Sequence, residues 1–192
     1  MGRQPWPHYI GDQEVWFLEP ERTLVRLQDL RKPLATQRRY GGGYDVTVLA
    51  HLALCTALSS DSSRLHRAYA AAHDLHEAIV IDVPSSLKPL LPDYREIEDA
   101  WAAHVHRSVG LPWPLLPGAE HHVQRIDVLA GLIEMTQVGH PSVRVQSERM
   151  GREATMEENE TWGWWYTASE DEQWELVSEA VRRAEPVRGA YR

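Results

Sequence analysis

The sequence predicts a mainly α-helical fold in which short helices surround a polar cleft. Apolar residues recur at intervals of three and four along most of the chain between positions 21 and 138. Clusters of glycine and proline separate these periodic segments. A few histidines and carboxylates stand inside segments that are otherwise apolar. The chain has 192 residues, of which 43 % are hydrophobic, enough for a sizeable core.

The N-terminal region predicts little regular structure before the first helix. Residues 12–18 could form a short strand or one arm of a hairpin. Residues 21–37 are predicted to form a helix with a leucine stripe, although Pro33 should end its first stretch. The stripe consists of Leu24, Leu27, Leu30 and Leu34. The glycines of the following Arg38–Tyr44 segment indicate an irregular turn.

Four further helices are predicted between residues 45 and 138. Their expected ranges are 45–59, 64–80, 93–108 and 119–138. The second of these has a polar linker and N-cap at residues 61–63. Three prolines in the stretch after it predict a loop with short turns. They are Pro84, Pro89 and Pro92.

Residues 139–192 are predicted to be an extension that packs on the core, residues 1–138, or on a neighbouring subunit. Ser142–Val145 and the aromatic stretch Thr161–Tyr166 are expected to be strand or irregular structure. Ser169 and Glu172 have the spacing of a capping box, which opens a predicted helix. One face of that helix carries Trp174, Val177 and Val181. The tryptophans could contact a base, but packing on the protein is the favoured interpretation.

Four polar residues in the predicted helices form a candidate metal site. His73 and Asp74 are adjacent, and Glu77 follows His73 by one helical turn on the same face. His51 and Asp127 each stand in an apolar helical segment on either side of this pair. Two imidazoles and two carboxylates suit a borderline divalent ion that keeps open positions.

These residues carry a resemblance to a known family. The order His51, His73-Asp74, Asp127 resembles the H…HD…D signature of the HD-domain metal-dependent phosphohydrolases. The run from Ile81 to Tyr94 resembles the segment that follows in the deoxynucleotidase branch, and Arg39-Tyr40-Gly41-Gly42 is similar to a stretch found in phage members. The resemblance covers roughly residues 11–136 and implies an HD-domain helical bundle around a metal cleft.

The resemblance also implies roles for individual residues. The metal ligands that it implies are His51, His73, Asp74 and Asp127. The implied ion is zinc, cobalt or manganese, with magnesium as an alternative. Glu77 is expected to act as general acid or base, and Asp82 to orient water or the sugar hydroxyl. The expected substrate-binding residues are Arg39 on the α-phosphate, Tyr40 on the base or sugar, and Lys88 and Arg38 on further phosphates.

The implied activity is hydrolysis of a deoxynucleotide at the α-phosphate. Phage members of this kind include dATP triphosphohydrolases, so the expected reaction converts dATP to deoxyadenosine and tripolyphosphate. The alternatives are a 5′-deoxynucleoside monophosphatase, a non-catalytic nucleotide-binding protein and a cyclic-nucleotide phosphodiesterase. The sequence departs from the family at Ala50, where relatives often have Glu or Gln, and at Tyr40, where characterised relatives often have Trp.

Charge and cysteine content limit the partners and the compartment. The net charge of −8 argues against binding to a nucleic-acid polymer. The single cysteine, Cys55, excludes an internal disulfide and is interpreted as a small core residue of a protein in a reducing compartment. No apolar run approaches about 18 residues, and the first residues lack a signal-peptide core. We therefore expect a cytoplasmic protein, in the host cytoplasm if a phage encodes it, with no membrane partner and with homo-oligomeric assembly.

Overall fold

The structure is a computed structural model, and it describes residues 6–184. Within that range the fold is mainly helical, as the sequence predicts. Strands β1 (His8–Ile10) and β2 (Gln13–Val15) form an antiparallel hairpin. The helices are α1 (Arg31–Thr36), α2 (Val48–Leu58), α3 (Arg64–Ala72), α4 (Glu77–Val80), α5 (Pro92–Ser108), α6 (Ala119–Gln137), α7 (Val143–Met150), α8 (Met156–Thr167) and α9 (Glu170–Arg182).

Helix α2 lies at the centre of the fold. Every residue from Val48 to Thr56 is buried, because the helix is apolar on nearly all sides and neighbouring helices cover it. Those neighbours are α1, α3, α6, α8 and α9. The Thr47 side chain caps the helix by accepting a hydrogen bond from the backbone N–H of Ala50 at 3.0 Å. Among the described residues, no helix is both long and apolar enough to cross a membrane.

The C-terminal helices α8 and α9 pack against α2, as do α1, α3 and α6. The predicted face of α9 is buried in the larger hydrophobic core, with Trp174, Val177 and Val181 7 % exposed or less. A second core joins Leu54 on α2 to Ile133 on α6 and Trp162 on α8. The last part of the predicted extension, residues 185–192, lies outside the described residues.

The first predicted helix is much shorter than expected. Two 3-10 turns, Pro20–Arg22 and Leu27–Leu30, precede α1, and Leu24 is 66 % exposed instead of buried. Pro33 has no N–H, and in a helix interior its ring would collide with the carbonyl four residues earlier. Helix α1 therefore begins at Arg31, which places Pro33 in its first turn, where it is tolerated.

The predicted helix 64–80 is interrupted at the candidate metal site. Helix α3 ends at Ala72, and α4 begins at Glu77. The intervening turn has hydrogen bonds between residues three apart, from the N–H of Leu75 to the carbonyl of Ala72 at 3.1 Å and from Glu77 to Asp74 at 3.0 Å. His73 and Glu77 are therefore not successive positions on one regular helix face.

The predicted strand or irregular structure in the extension is also wrong, because both segments are helical. Helix α8 starts with a complete capping box between Thr155 and Glu158. Its aromatic run, which favours strand in isolation, is held as helix by packing of Trp162 against α2 and α6. Ser142 occupies the N-cap position of α7, and residues 143–145 form the first turn of that helix.

Candidate metal centre and the surrounding cleft

The structure brings the four predicted metal ligands together. Nε2 of His51 lies 3.3 Å from Nε2 of His73 and 3.2 Å from Oδ1 of Asp127. Nε2 of His73 lies 3.2 Å from Oδ2 of Asp74. The remaining histidine–carboxylate distances are 3.8 Å, from His51 to Asp74, and 3.9 Å, from His73 to Asp127. Helices α2 and α6 and the turn between α3 and α4 each supply part of this cluster.

Hydrogen bonds orient both imidazoles toward the centre of the cluster. Nδ1 of His51 bonds to Oε1 of Glu134 at 2.7 Å, and Nδ1 of His73 donates to the carbonyl of Ala70 at 2.8 Å. A metal ion binds the neutral imidazole, and in a neutral ring this bond assigns the hydrogen to Nδ1 and leaves the Nε2 lone pair facing the other donors. Histidines that bind metals are held by second bonds of this kind.

The Sγ atom of Cys55 is a further candidate donor at this site. It stands one helical turn after His51, with Sγ 3.6 Å from Nε2 of His51. His51, Cys55 and His73 offer one donor atom each within 4.8 Å of one another, so this buried trio could hold a metal ion. Cys55 also packs in the second core, in agreement with its interpretation as a core residue. Its spacing of four from His51 was the sequence signal for its place beside the cluster.

Glu134 is a second residue of the site that sequence reasoning missed. Its side chain is fully buried, and besides His51 it accepts a hydrogen bond from Tyr40 Oη at 2.6 Å. Burial opposes its ionisation, but the neighbouring charges of His51 and Arg39 hold the pKa of Glu134 below its usual value. Glu134 follows Asp127 by seven residues, which is about two helical turns, so its spacing in the apolar end of α6 was the available signal.

Arg39 and Tyr40 lie beside the cluster, but both are partly occupied by protein groups. Nε of Arg39 is 3.3 Å from Oε2 of Glu134, and its Nη1 is 3.6 Å from Oδ2 of Asp74. The Tyr40 hydroxyl donates a hydrogen bond to Glu134, and the Tyr40 ring contacts the ring of Tyr44. The glycine turn that follows requires positive φ values at Gly41 and Gly42, 65° and 78°.

Glu77 is buried near the cluster, in surroundings that favour its protonated form. Its side chain is 3 % exposed, and Oε2 has no hydrogen-bond partner. Burial, followed by the charges of Asp74 and Asp82, raises the pKa of Glu77 well above its usual value. A carboxyl group in such surroundings can donate a proton at a pH where an exposed glutamate cannot.

Asp82 begins the loop after α4 and is half-buried. Burial is the main cause of its raised pKa. With its amide oriented to satisfy both partners, Gln37 accepts from the backbone N–H of Asp82 at 2.9 Å and donates to the carbonyl of Glu77 at 3.3 Å. The preceding Ile81 has a φ of 62°, an uncommon value for a β-branched residue, and Tyr94 Oη donates to its carbonyl at 2.7 Å.

The two cations predicted for further phosphates are both paired with carboxylates. Nζ of Lys88 lies 2.5 Å from Oε1 of Glu98 and 3.8 Å from Oε1 of Glu77. Arg38 pairs with Asp45 at 2.9 Å, so its contact in the structure is with that exposed carboxylate and not with the histidine cluster. Lys88 thus lies near Glu77, the predicted general acid, whereas the ion pair of Arg38 is with Asp45.

An open surface cleft of about 600 Å³ lies elsewhere, between the hairpin and the first 3-10 turns. Asp12, Glu14, Arg22 and Arg26 are among its lining residues. None of the candidate site residues lines this cleft, so its volume has no bearing on the metal cluster.

Comparisons with known proteins leave the family open. No protein-family model matches the chain. A curated relative, the uncharacterized protein YfdR of Escherichia coli (strain K12), is 32 % identical over 90 residues. The match covers 46 % of this chain and 49 % of YfdR, so the chain spans about half the length of that relative. The name of YfdR carries no activity, and the function is therefore argued from the site.

Proposed function

We propose that this protein is a metal-dependent phosphohydrolase that cleaves the bond between the 5′ oxygen and the α-phosphorus of a deoxynucleotide. The observation that carries the proposal is the convergence of His51, His73, Asp74 and Asp127, whose histidine and carboxylate donor atoms lie 3.2–3.9 Å apart. Two ligands that are each about 2.1 Å from one zinc ion lie about 3.0–3.4 Å apart. The two 3.2 Å distances fall in this range, and the two longer ones, 3.8 and 3.9 Å, would have to shorten slightly around a shared ion. The resemblance to HD-domain enzymes supports the same donor set.

Each neighbouring residue has a chemical task in this proposal. A divalent ion at the cluster would supply Lewis acidity at the phosphoryl oxygen and a water that ionises near neutral pH. Glu77 holds a proton in its buried site and gives it to the departing 5′ oxygen. The guanidinium of Arg39 has five N–H donors, and its contact with Asp74 is 3.6 Å long. Some of these donors can therefore pair with the α-phosphate. Asp82 accepts a hydrogen bond from the sugar or from water.

The favoured substrate from the resemblance is dATP, which needs positive charge for its β- and γ-phosphates. Lys88 and Arg38 are already paired with Glu98 and Asp45, at 2.5 and 2.9 Å. A deoxynucleoside monophosphate needs only the metal and Arg39. The pairing of these two cations therefore favours the monophosphatase as the second candidate.

Product analysis tests the proposal and separates the two substrates. The protein is incubated with each deoxynucleoside mono- and triphosphate in the presence of Mn²⁺, Co²⁺, Zn²⁺ or Mg²⁺. A triphosphohydrolase yields deoxyadenosine and tripolyphosphate from dATP, and a monophosphatase yields deoxyadenosine and phosphate from dAMP. Glu77→Gln, which should bind nucleotide but lose turnover, is the comparison variant. Nucleotide binding without product under every metal would replace the proposal with the non-catalytic binding protein.

A further inference from the structure

We infer that Cys55 is a thiolate ligand at this metal centre and that it makes the centre select zinc or cobalt over magnesium and manganese. The inference rests on the metal site of the proposed function, but not on the reaction. It assigns to Cys55 a role that neither the resemblance nor the core interpretation of this residue includes.

The position of Cys55 fits a shared ion. Its Sγ lies 3.6 Å from Nε2 of His51. One donor atom each from His51, Cys55 and His73 falls within 4.8 Å of the others. A nitrogen and a sulfur bound to one zinc ion, at about 2.1 and 2.3 Å from it and with an angle of about 110° between the two bonds, lie about 3.6 Å apart. The observed distance between the two atoms is thus the one that zinc ligands adopt.

The nitrogen that faces Cys55 is the one left free to bind. Nδ1 of His51 is hydrogen-bonded to Glu134 at 2.7 Å, so Nε2 is the nitrogen that faces the sulfur, His73 and Asp127. Cys55 and His51 are both fully buried. A weak S–H···N hydrogen bond between them is the competing explanation, and it requires no metal.

The chemistry of a thiolate determines which ions it favours. Sulfur is a soft donor that suits zinc, whereas magnesium and manganese prefer carboxylate and water oxygens. A thiol gives up its proton when it binds a divalent ion, so binding releases one proton to solvent. Arg39, with Nη1 3.6 Å from Oδ2 of Asp74, offsets part of the added negative charge.

Cobalt spectroscopy tests the inference without an activity assay. The full-length protein is stripped of metal with a chelator and titrated with Co²⁺. A thiolate bound to Co²⁺ gives a near-ultraviolet charge-transfer band in addition to the weak visible bands of the ion. The chain has one cysteine, so this band can arise from Cys55 alone. We expect the band in the wild type and its loss in Cys55→Ser, with the visible bands retained.

Competition binding supplies the second measurement. The ratio of Zn²⁺ to Mn²⁺ affinity should fall by about tenfold or more in Cys55→Ser and Cys55→Ala, the equivalent of about 1.4 kcal/mol. His66→Ala, which alters a histidine outside the cluster, should leave both the band and the ratio unchanged.

The possible results separate this inference from the proposed reaction. Visible cobalt bands without the charge-transfer band, together with an unchanged affinity ratio, overturn the role of Cys55 even if hydrolysis is observed. The band without any hydrolysis supports the role while the phosphohydrolase proposal fails. Should both cysteine variants fail to fold, the wild-type spectrum decides alone.

Discussion

Glu134 accepts a hydrogen bond from Nδ1 of His51 over 2.7 Å, and both side chains are completely buried. The contact orients the imidazole of His51 toward His73 and Asp127. It also provides a buried carboxylate next to the first histidine, although the residue before that histidine is Ala50 and not an acid or amide.

Glu134→Gln should weaken metal binding without unfolding the protein. The amide keeps the volume of the side chain but removes the charge that orients His51, and loss of such a supporting group typically costs about 10–100-fold in metal affinity. Calorimetric titration with Zn²⁺ measures the change. Glu148→Gln is the control, because Glu148 lies on α7 with its side chain 65 % exposed. Equal zinc affinity in both variants would show that Glu134 serves packing alone.

Glu77→Gln should separate binding from turnover. If Glu77 donates the proton to the leaving oxygen, the variant should bind metal and nucleotide normally and lose about 10²–10⁴-fold in rate. Single-turnover kinetics with metal-loaded protein measure this loss. Glu96→Gln alters an exposed residue of α5 and should keep the wild-type rate. A Glu77→Gln variant with near-native turnover would leave Glu77 as a buried structural residue.

Lys88→Met should lower hydrolysis of dATP and dAMP by similar factors. In the structure Lys88 contacts Glu98 and approaches Glu77, so its removal disturbs groups that both substrates need. Loss of a charge-assisted hydrogen bond should also lower the free energy of unfolding by about 1.5–3 kcal/mol. Lys32→Met, at the exposed and only other lysine, is the matched control. A much greater loss on dATP would instead place Lys88 at the β- and γ-phosphates, as the sequence predicts.

His106→Phe should reduce the loss of stability in acid. Burial lowers the pKa of His106 to about 4, so between the ordinary value of about 6.5 and about 4 the unfolded chain takes up a proton that the folded protein excludes. The free energy of unfolding of the wild type should therefore fall as the pH falls through this window, by up to about 3 kcal/mol from this residue.

Chemical denaturation at a series of pH values measures the effect of His106. Phenylalanine cannot titrate and can keep the aromatic contact with Trp113, whose ring centroid is 4.8 Å away. The slope should become smaller in His106→Phe and stay unchanged in His121→Phe, which alters an exposed residue. Identical slopes in all three proteins would contradict the effect of burial on His106.

The sequence predicted the set of polar residues at the site more accurately than it predicted the backbone that brings them together. His51 and Asp127 are polar residues in apolar helical segments, and this pattern alone indicates that they meet at one site, with the His51 side chain fully buried and that of Asp127 44 % exposed. The turn at residues 73–76 had no such signal, because the alanine-rich segment before it contains no glycine or proline. The interruption is visible in the backbone hydrogen bonds between residues three apart, from Leu75 to Ala72 and from Glu77 to Asp74.

Tertiary packing explains the other differences between expectation and structure. The aromatic residues of α8 have strand propensity, yet Trp162 is buried as part of a helix because the second core lies beneath it. The capping box between Thr155 and Glu158 also stabilises the start of this helix. Lys88 was expected to meet phosphate, and its pairing with Glu98 depends on how α5 lies against the preceding loop, which no local pattern specifies.

The complete burial of α2 has a consequence for the modularity of the chain. Helices α8 and α9 come from its last third, and they cover the same central helix that carries His51 and Cys55. A fragment ending near Val138 would leave that apolar surface open to water and prone to self-association. The C-terminal helices are therefore not an interchangeable appendage, and deleting them or transplanting them between relatives should disturb the candidate metal centre through α2.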